Sequence, residues 1–109
     1  MNLQTQIIEV PQDISVREGE PARFSCLVRS AVPPVVKWKF EGHLVEEGDV
    51  YRLDDDGRGR HSLLIPECFP EDAGLYSVHV ENASCELEAS AYLTVRGEFL
   101  LMACWIFYP

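Results

Sequence analysis

Apolar and polar residues alternate with a period of two in short runs between residues 7 and 95. In ARFSCLV (22–28), Phe24, Cys26 and Val28 fall on one face, with Arg23, Ser25 and Leu27 on the other. In VVKWKF (35–40), Val36, Trp38 and Phe40 alternate with Lys37 and Lys39. HSLLI (61–65) turns Leu63 and Ile65 one way, and LYSVHVE (75–81) does the same with Tyr76, Val78 and Val80. ELEASAYLTV (86–95) is the longest alternation, with Leu87, Ala89, Ala91, Leu93 and Val95 on its apolar face. This is the period of a strand with one buried face; no helical period lasts three turns. IIEV (7–10), ISV (14–16) and DVYRLDD (49–55) are weaker strands, and Pro11 makes the first two an edge strand that breaks and restarts. REGEP, AVPP, EGH, DDGRGR and PECFPEDAG supply turn chemistry between them.

About seven to nine short strands at regular spacing predict an all-β fold, a two-sheet antiparallel Greek-key sandwich. Buried parallel strands would read as solid apolar runs instead. The expected core is Phe24, Cys26, Val36, Trp38, Leu63, Ile65, Tyr76, Val78, Val80 and Leu93. The pattern stops at Arg96, so residues 1–96 form one domain and 97–109, GEFLLMACWIFYP, form a separate apolar tail.

A length of 109 residues fits one core. Eighteen acidic side chains against nine basic ones give a net charge of −9, which repels phosphate backbones and argues against nucleic-acid binding. Four cysteines and three histidines lack paired spacing of the Cys-x-x-Cys or His-x₃-His kind, so no structural metal is expected. LDDDG (53–57) gathers three carboxylates without the alternating ligands of a calcium loop. No nucleophile elbow or phosphate-cradling loop occurs, and neither catalysis nor a cofactor is expected. No stretch reaches the roughly 18 apolar residues of a membrane span.

Cys26, Trp38 twelve residues on, and Tyr76 inside EDAGLY stand in a recognisable order, with EGEPARFSC before them and ASAYLTV after. Over about residues 5 to 96 the chain resembles an immunoglobulin domain of the I set. It is most similar to the intracellular kind found in giant muscle and cytoskeletal proteins such as titin, obscurin, myosin-binding protein C and the palladin group. The resemblance implies a role for each matched residue. Trp38 would fill the centre between the sheets. Tyr76 would be the corner tyrosine whose hydroxyl bonds backbone upstream. Asp72 would pair with an arginine; Arg52, Arg58 and Arg60 are available, and Arg60 is favoured. Gly74 would permit the turn before the tyrosine. The family usually places a cysteine where Val78 stands, bonded to the one matching Cys26.

Without that partner no disulfide between the second and sixth strands is expected, a loss of roughly 2–4 kcal/mol that a secreted domain could ill spare. Reducing cytosol would dissolve such a bond, so the valine implies a cytoplasmic setting. Cys26 would act as a small buried apolar residue. Cys68, Cys85 and Cys104 are expected to be reduced thiols, with a non-standard pair left open. Asn82-Ala83-Ser84 is a formal glycosylation acceptor but reads more simply as a hairpin turn. The family usually has glycine near Cys85, so a changed hairpin geometry is expected there.

The resemblance implies a non-enzymatic structural and protein-binding module of a sarcomeric or cytoskeletal protein, a mechanical link and docking surface. Its partners would be muscle or actin-associated proteins and neighbouring immunoglobulin domains. The expected docking sites are edge strands at 7–16 and 86–95, then the Lys37/Lys39 face, then the tail through Trp105 and Phe107. Two rival readings are an extracellular adhesion or receptor domain and a regulatory domain attached to a muscle kinase.

Overall fold

The computed structural model describes residues 4–97. The strands are β1 (Gln6–Glu9), β2 (Ile14–Arg17), β3 (Ala22–Arg29), β4 (Val35–Phe40), β5 (His43–Leu44), β6 (Arg52–Asp55), β7 (Arg60–Ile65), β8 (Gly74–Glu81) and β9 (Glu86–Arg96). One sheet has the order β1-β3-β7-β6 and the other β2-β9-β8-β4-β5. The chain leaves the first sheet at Pro11 and enters the second without reversing. β2 therefore runs parallel to β9, the one departure from an otherwise antiparallel sandwich.

The alternation in each strand becomes burial. Phe24, Cys26, Trp38, Leu63, Ile65, Tyr76, Val78, Val80 and Leu93 are buried, while Val36 is half-buried and packs against them. Val36 pairs with Val80 at the start of β4, beside the connection at 30–34. Each large aliphatic buried here contributes about 1.5–3 kcal/mol. Phe24 and Phe40 both stack on Tyr76, at ring-centroid distances of 5.0 and 4.6 Å. The two sheets are thus joined by a continuous aromatic contact. No disulfide joins the described cysteines.

Turn geometry fixes the register. Glu41 (φ 48) and Gly42 (φ 84) form a two-residue hairpin turn with both residues left-handed, which matches strand twist. Gly59 (φ 101) lies so close to β3 that a Cβ there would collide with the carbonyl oxygen of Val28. Its own carbonyl accepts from the Val28 N–H at 2.8 Å. Gly59→Ala is therefore expected to destabilise the domain by about 1–3 kcal/mol. Urea denaturation would check this; an unchanged midpoint would show that the turn relaxes freely.

Candidate functional site

The loop between β7 and β8 sets one pole of the sandwich. Pro70–Asp72 makes a single 3-10 turn, and the Phe69 N–H donates to Asp72 Oδ2 at 2.8 Å. The Tyr76 hydroxyl donates to the Asp72 carbonyl oxygen at 2.6 Å and closes a tyrosine corner. Burial, then the neighbouring Tyr51 and Asp72, push the Tyr76 phenol far above its usual value. The expected Arg60–Asp72 pair is not made. Arg60 opens β7, whereas Asp72 lies beyond that strand's far end. Arg60 instead donates to Glu9 Oε1 at 3.0 Å and to Ser25 Oγ at 3.0 Å on the outer face of the first sheet. Tyr51 stands beside Asp72 and Tyr76 in its place.

Two of the thiols are withdrawn from solvent and held protonated. Cys26 and Cys68 are fully buried. Burial pushes Cys26 up to about 11 against partial relief from the His61 backbone and Arg60. Burial, then the charges of Asp72 and Glu20, push Cys68 up to about 11. A thiol near 9.0 in the unfolded chain loses its proton first as pH rises. Their contribution to stability is intact below about pH 9 and fades through about pH 11. The melting temperature is accordingly expected to fall by several degrees across that window, and a flat profile would contradict the burial. Replacing both cysteines by alanine should remove the part of the fall between about pH 9 and 10, leaving above about pH 10 the loss due to the raised Tyr51 and Tyr76 phenols.

The hairpin at 82–85 has no left-handed residue. Asn82 closes it: its Oδ1 accepts from the N–H groups of Ser84 (2.8 Å) and Cys85 (3.0 Å). Its Nδ2 donates to Thr5 Oγ1 at 2.6 Å, so the atom a sugar would occupy is already engaged. This explains how cysteine is tolerated at the position usually given to glycine.

The remaining chemistry lies at the sheet edges. β9 is not an edge throughout, contrary to the expectation for 86–95. β2 covers it from Leu93 to Arg96, and among the described residues Glu86–Tyr92 has no strand on the side away from β8, Tyr92 being capped by the Asp13 side chain. β1 and β2 are edges of different sheets, so 7–16 is two short edges. Acidic side chains close several open N–H groups: Asp13 accepts from Tyr92 at 2.9 Å, Glu47 from Leu53 at 3.1 Å and Glu41 from Leu75 at 3.1 Å. Sequence reading missed all three. The Lys37/Lys39 face is not a basic patch. Lys37 lies 3.6 Å from Glu81, and His79 sits between Glu86 (3.6 Å) and Glu88 (3.2 Å) on the same surface. Trp105 and Phe107 lie outside the described residues.

Two sheets plugged by an indole, a tyrosine corner and a first strand split between the sheets define an immunoglobulin-like domain. The chain belongs to the immunoglobulin I-set domain family, whose model matches residues 5–95. It is 34% identical to rat (Rattus norvegicus) nexilin over 85 residues, covering 78% of this chain and 13% of nexilin. It is 37% identical to titin of Drosophila melanogaster over 86 residues, covering 78% of this chain and, to the nearest per cent, 0% of titin. The chain thus spans a small part of these relatives. Among solved structures, a complex of titin M10 with an immunoglobulin domain of obscurin-like 1 is similar with a TM-score of 0.81. The identity there is 30%, covering 85% of this chain and 94% of that one.

Proposed function

We propose that this domain is a non-enzymatic protein-binding and load-bearing module of a cytoplasmic, sarcomeric or cytoskeletal protein. It would dock muscle proteins and neighbouring immunoglobulin domains. The observation that carries the reading is the open edge of β9 at Glu86–Ala91, where backbone groups face solvent with β8 on one side only. Its kinship to titin and nexilin supports the setting, and one similar solved chain comes from a complex of titin M10 with an obscurin-like 1 immunoglobulin domain. A core closed without a disulfide is consistent with a reducing compartment. The engaged Asn82 amide disfavours the extracellular alternative.

Ser90→Pro tests the edge. The Tyr92 N–H points away from β8, to Asp13, so the Ser90 N–H two residues earlier faces the same way. Proline there removes an edge donor and keeps the β8 backbone ladder, and Ser90→Ala is the control for the 2.9 Å hydroxyl contact with Ser77 that is lost as well. Immunoglobulin domains of titin and obscurin-like 1 serve as probes. At least about tenfold weaker binding is expected for the variant, with Lys37→Ala unchanged. Binding that ignores Ser90→Pro, or no binding by either probe, would reject the edge as the docking site.

A further inference from the structure

The open edge of β9 has a chemical character beyond its free backbone. The Asn82 N–H donates to the Cys85 carbonyl oxygen at 3.0 Å, so Cys85, Leu87, Ala89 and Ala91 turn their backbone groups to the β8 side. Glu86, Glu88 and Ser90 turn theirs the other way, where no strand lies among the described residues. Asp13 marks the end of the gap, since its Oδ1 accepts from the Tyr92 N–H at 2.9 Å.

The side chains along this gap sort by face. Glu86 and Glu88 stand on the outer face, with side chains 67% and 51% exposed. His79, on the β8 side, lies 3.6 Å from Glu86 and 3.2 Å from Glu88. Lys37, one strand further in, is 3.6 Å from Glu81. On the inner face Leu87 and Ala89 are half-buried and pack against the core. A further strand on this edge would set its outward side chains roughly 5 Å from Glu86 and Glu88, and its inward ones over Leu87 and Ala89.

Opposite charges across a ladder stabilise it, and like charges directly opposite destabilise it. The edge is therefore ill suited to its own copy. Two-fold pairing centred on Glu88 sets the two Glu88 side chains face to face. Pairing over Glu86–Ser90 brings two carboxylates from each copy together, on molecules that each carry a net charge of −9.

We propose that the strand received by β9 belongs to a different chain and carries lysine or arginine at alternate positions, facing Glu86 and Glu88. Aliphatic residues between them cover Leu87 and Ala89. Backbone hydrogen bonds supply the affinity, and the two glutamates choose the partner. This inference rests on the reading of Glu86–Ala91 as the docking edge.

Two blocked seven-residue peptides test it on the full chain. Both have valine at every odd position; one has lysine between the valines and the other glutamate. Calorimetric titration should show the lysine peptide binding at least about tenfold more tightly than the glutamate peptide. Glu86→Gln with Glu88→Gln should weaken the lysine peptide roughly fivefold, and Glu86→Lys with Glu88→Lys should reverse the order of the two peptides. Ser90→Pro should weaken the lysine peptide at least about tenfold, with Ser90→Ala as its control. Melting curves establish that each variant is folded. A lysine peptide that obeys Ser90→Pro but ignores both glutamate changes would overturn the proposal and leave the docking edge standing. One that follows the glutamates but ignores Ser90→Pro would be held by charge alone, and would overturn both. Equal binding of the two peptides, or none by the lysine peptide, would overturn the charge rule, with the titin and obscurin-like 1 domains still deciding the edge.

Discussion

Trp38→Ala is expected to destabilise the domain by about 3–5 kcal/mol, the cost of deleting a large buried aromatic side chain. Trp38 is 2% exposed and pairs with Val78 across the β4–β8 ladder, in one cluster with Cys26 and Leu63. The two sheets are held by packing and the tyrosine corner, with no covalent bridge among the described cysteines. A loss of this size would consume much of a total stability of roughly 5–15 kcal/mol. Urea denaturation followed by circular dichroism should show a large fall in midpoint. Tyr92→Ala is the control: Tyr92 is 59% exposed, and its loss should shift stability by less than about 0.5 kcal/mol. A Trp38→Ala effect below about 1 kcal/mol would mean that the indole does not carry the centre of the sandwich.

The core was legible because a two-residue period maps directly onto a two-faced strand. Phe24, Cys26 and Val28 alternate in sequence and all turn inward in β3. Leu63 and Ile65 do the same in β7. Strand neighbours were less legible, because pairing depends on where distant segments lie. Nothing near residues 93–96 announces that β2 will lie alongside them, so only the Leu93–Val95 end of the expected 86–95 edge was misjudged. The polar contacts were hardest. Asp13 and Tyr92 are 79 residues apart in sequence, and Glu41 and Leu75 are 34 apart. No local motif encodes such pairs. The arginine expected for Asp72 illustrates the same limit. Family likeness indicated a guanidinium, but Arg60 stands at the wrong end of β7, about 17 Å of strand from Ile65 at ~3.3 Å per residue. Glu9 and Ser25 take it instead.

Val78→Cys should restore the bond that this chain lacks. Cys26 and Val78 are both fully buried within one cluster, on β3 and β8 of facing sheets. Family likeness sets them opposite each other. Closing the chain between residues 26 and 78 should stabilise the oxidised variant by about 4 kcal/mol in the chain-entropy picture. The reduced variant should be weaker than the parent by about 0.5–1.5 kcal/mol, since cysteine fills less of the valine site. Melting curves with and without reductant measure both effects on one sample, and the free-thiol count establishes whether the bond has formed. The sign of the difference bears on biology. If oxidation stabilises the variant as expected, the valine gives up stability available only under oxidising conditions and keeps tighter packing where thiols stay reduced. If the two thiols will not join, β3 and β8 do not place these side chains face to face, and the inference from the missing cysteine to a reducing compartment loses its footing.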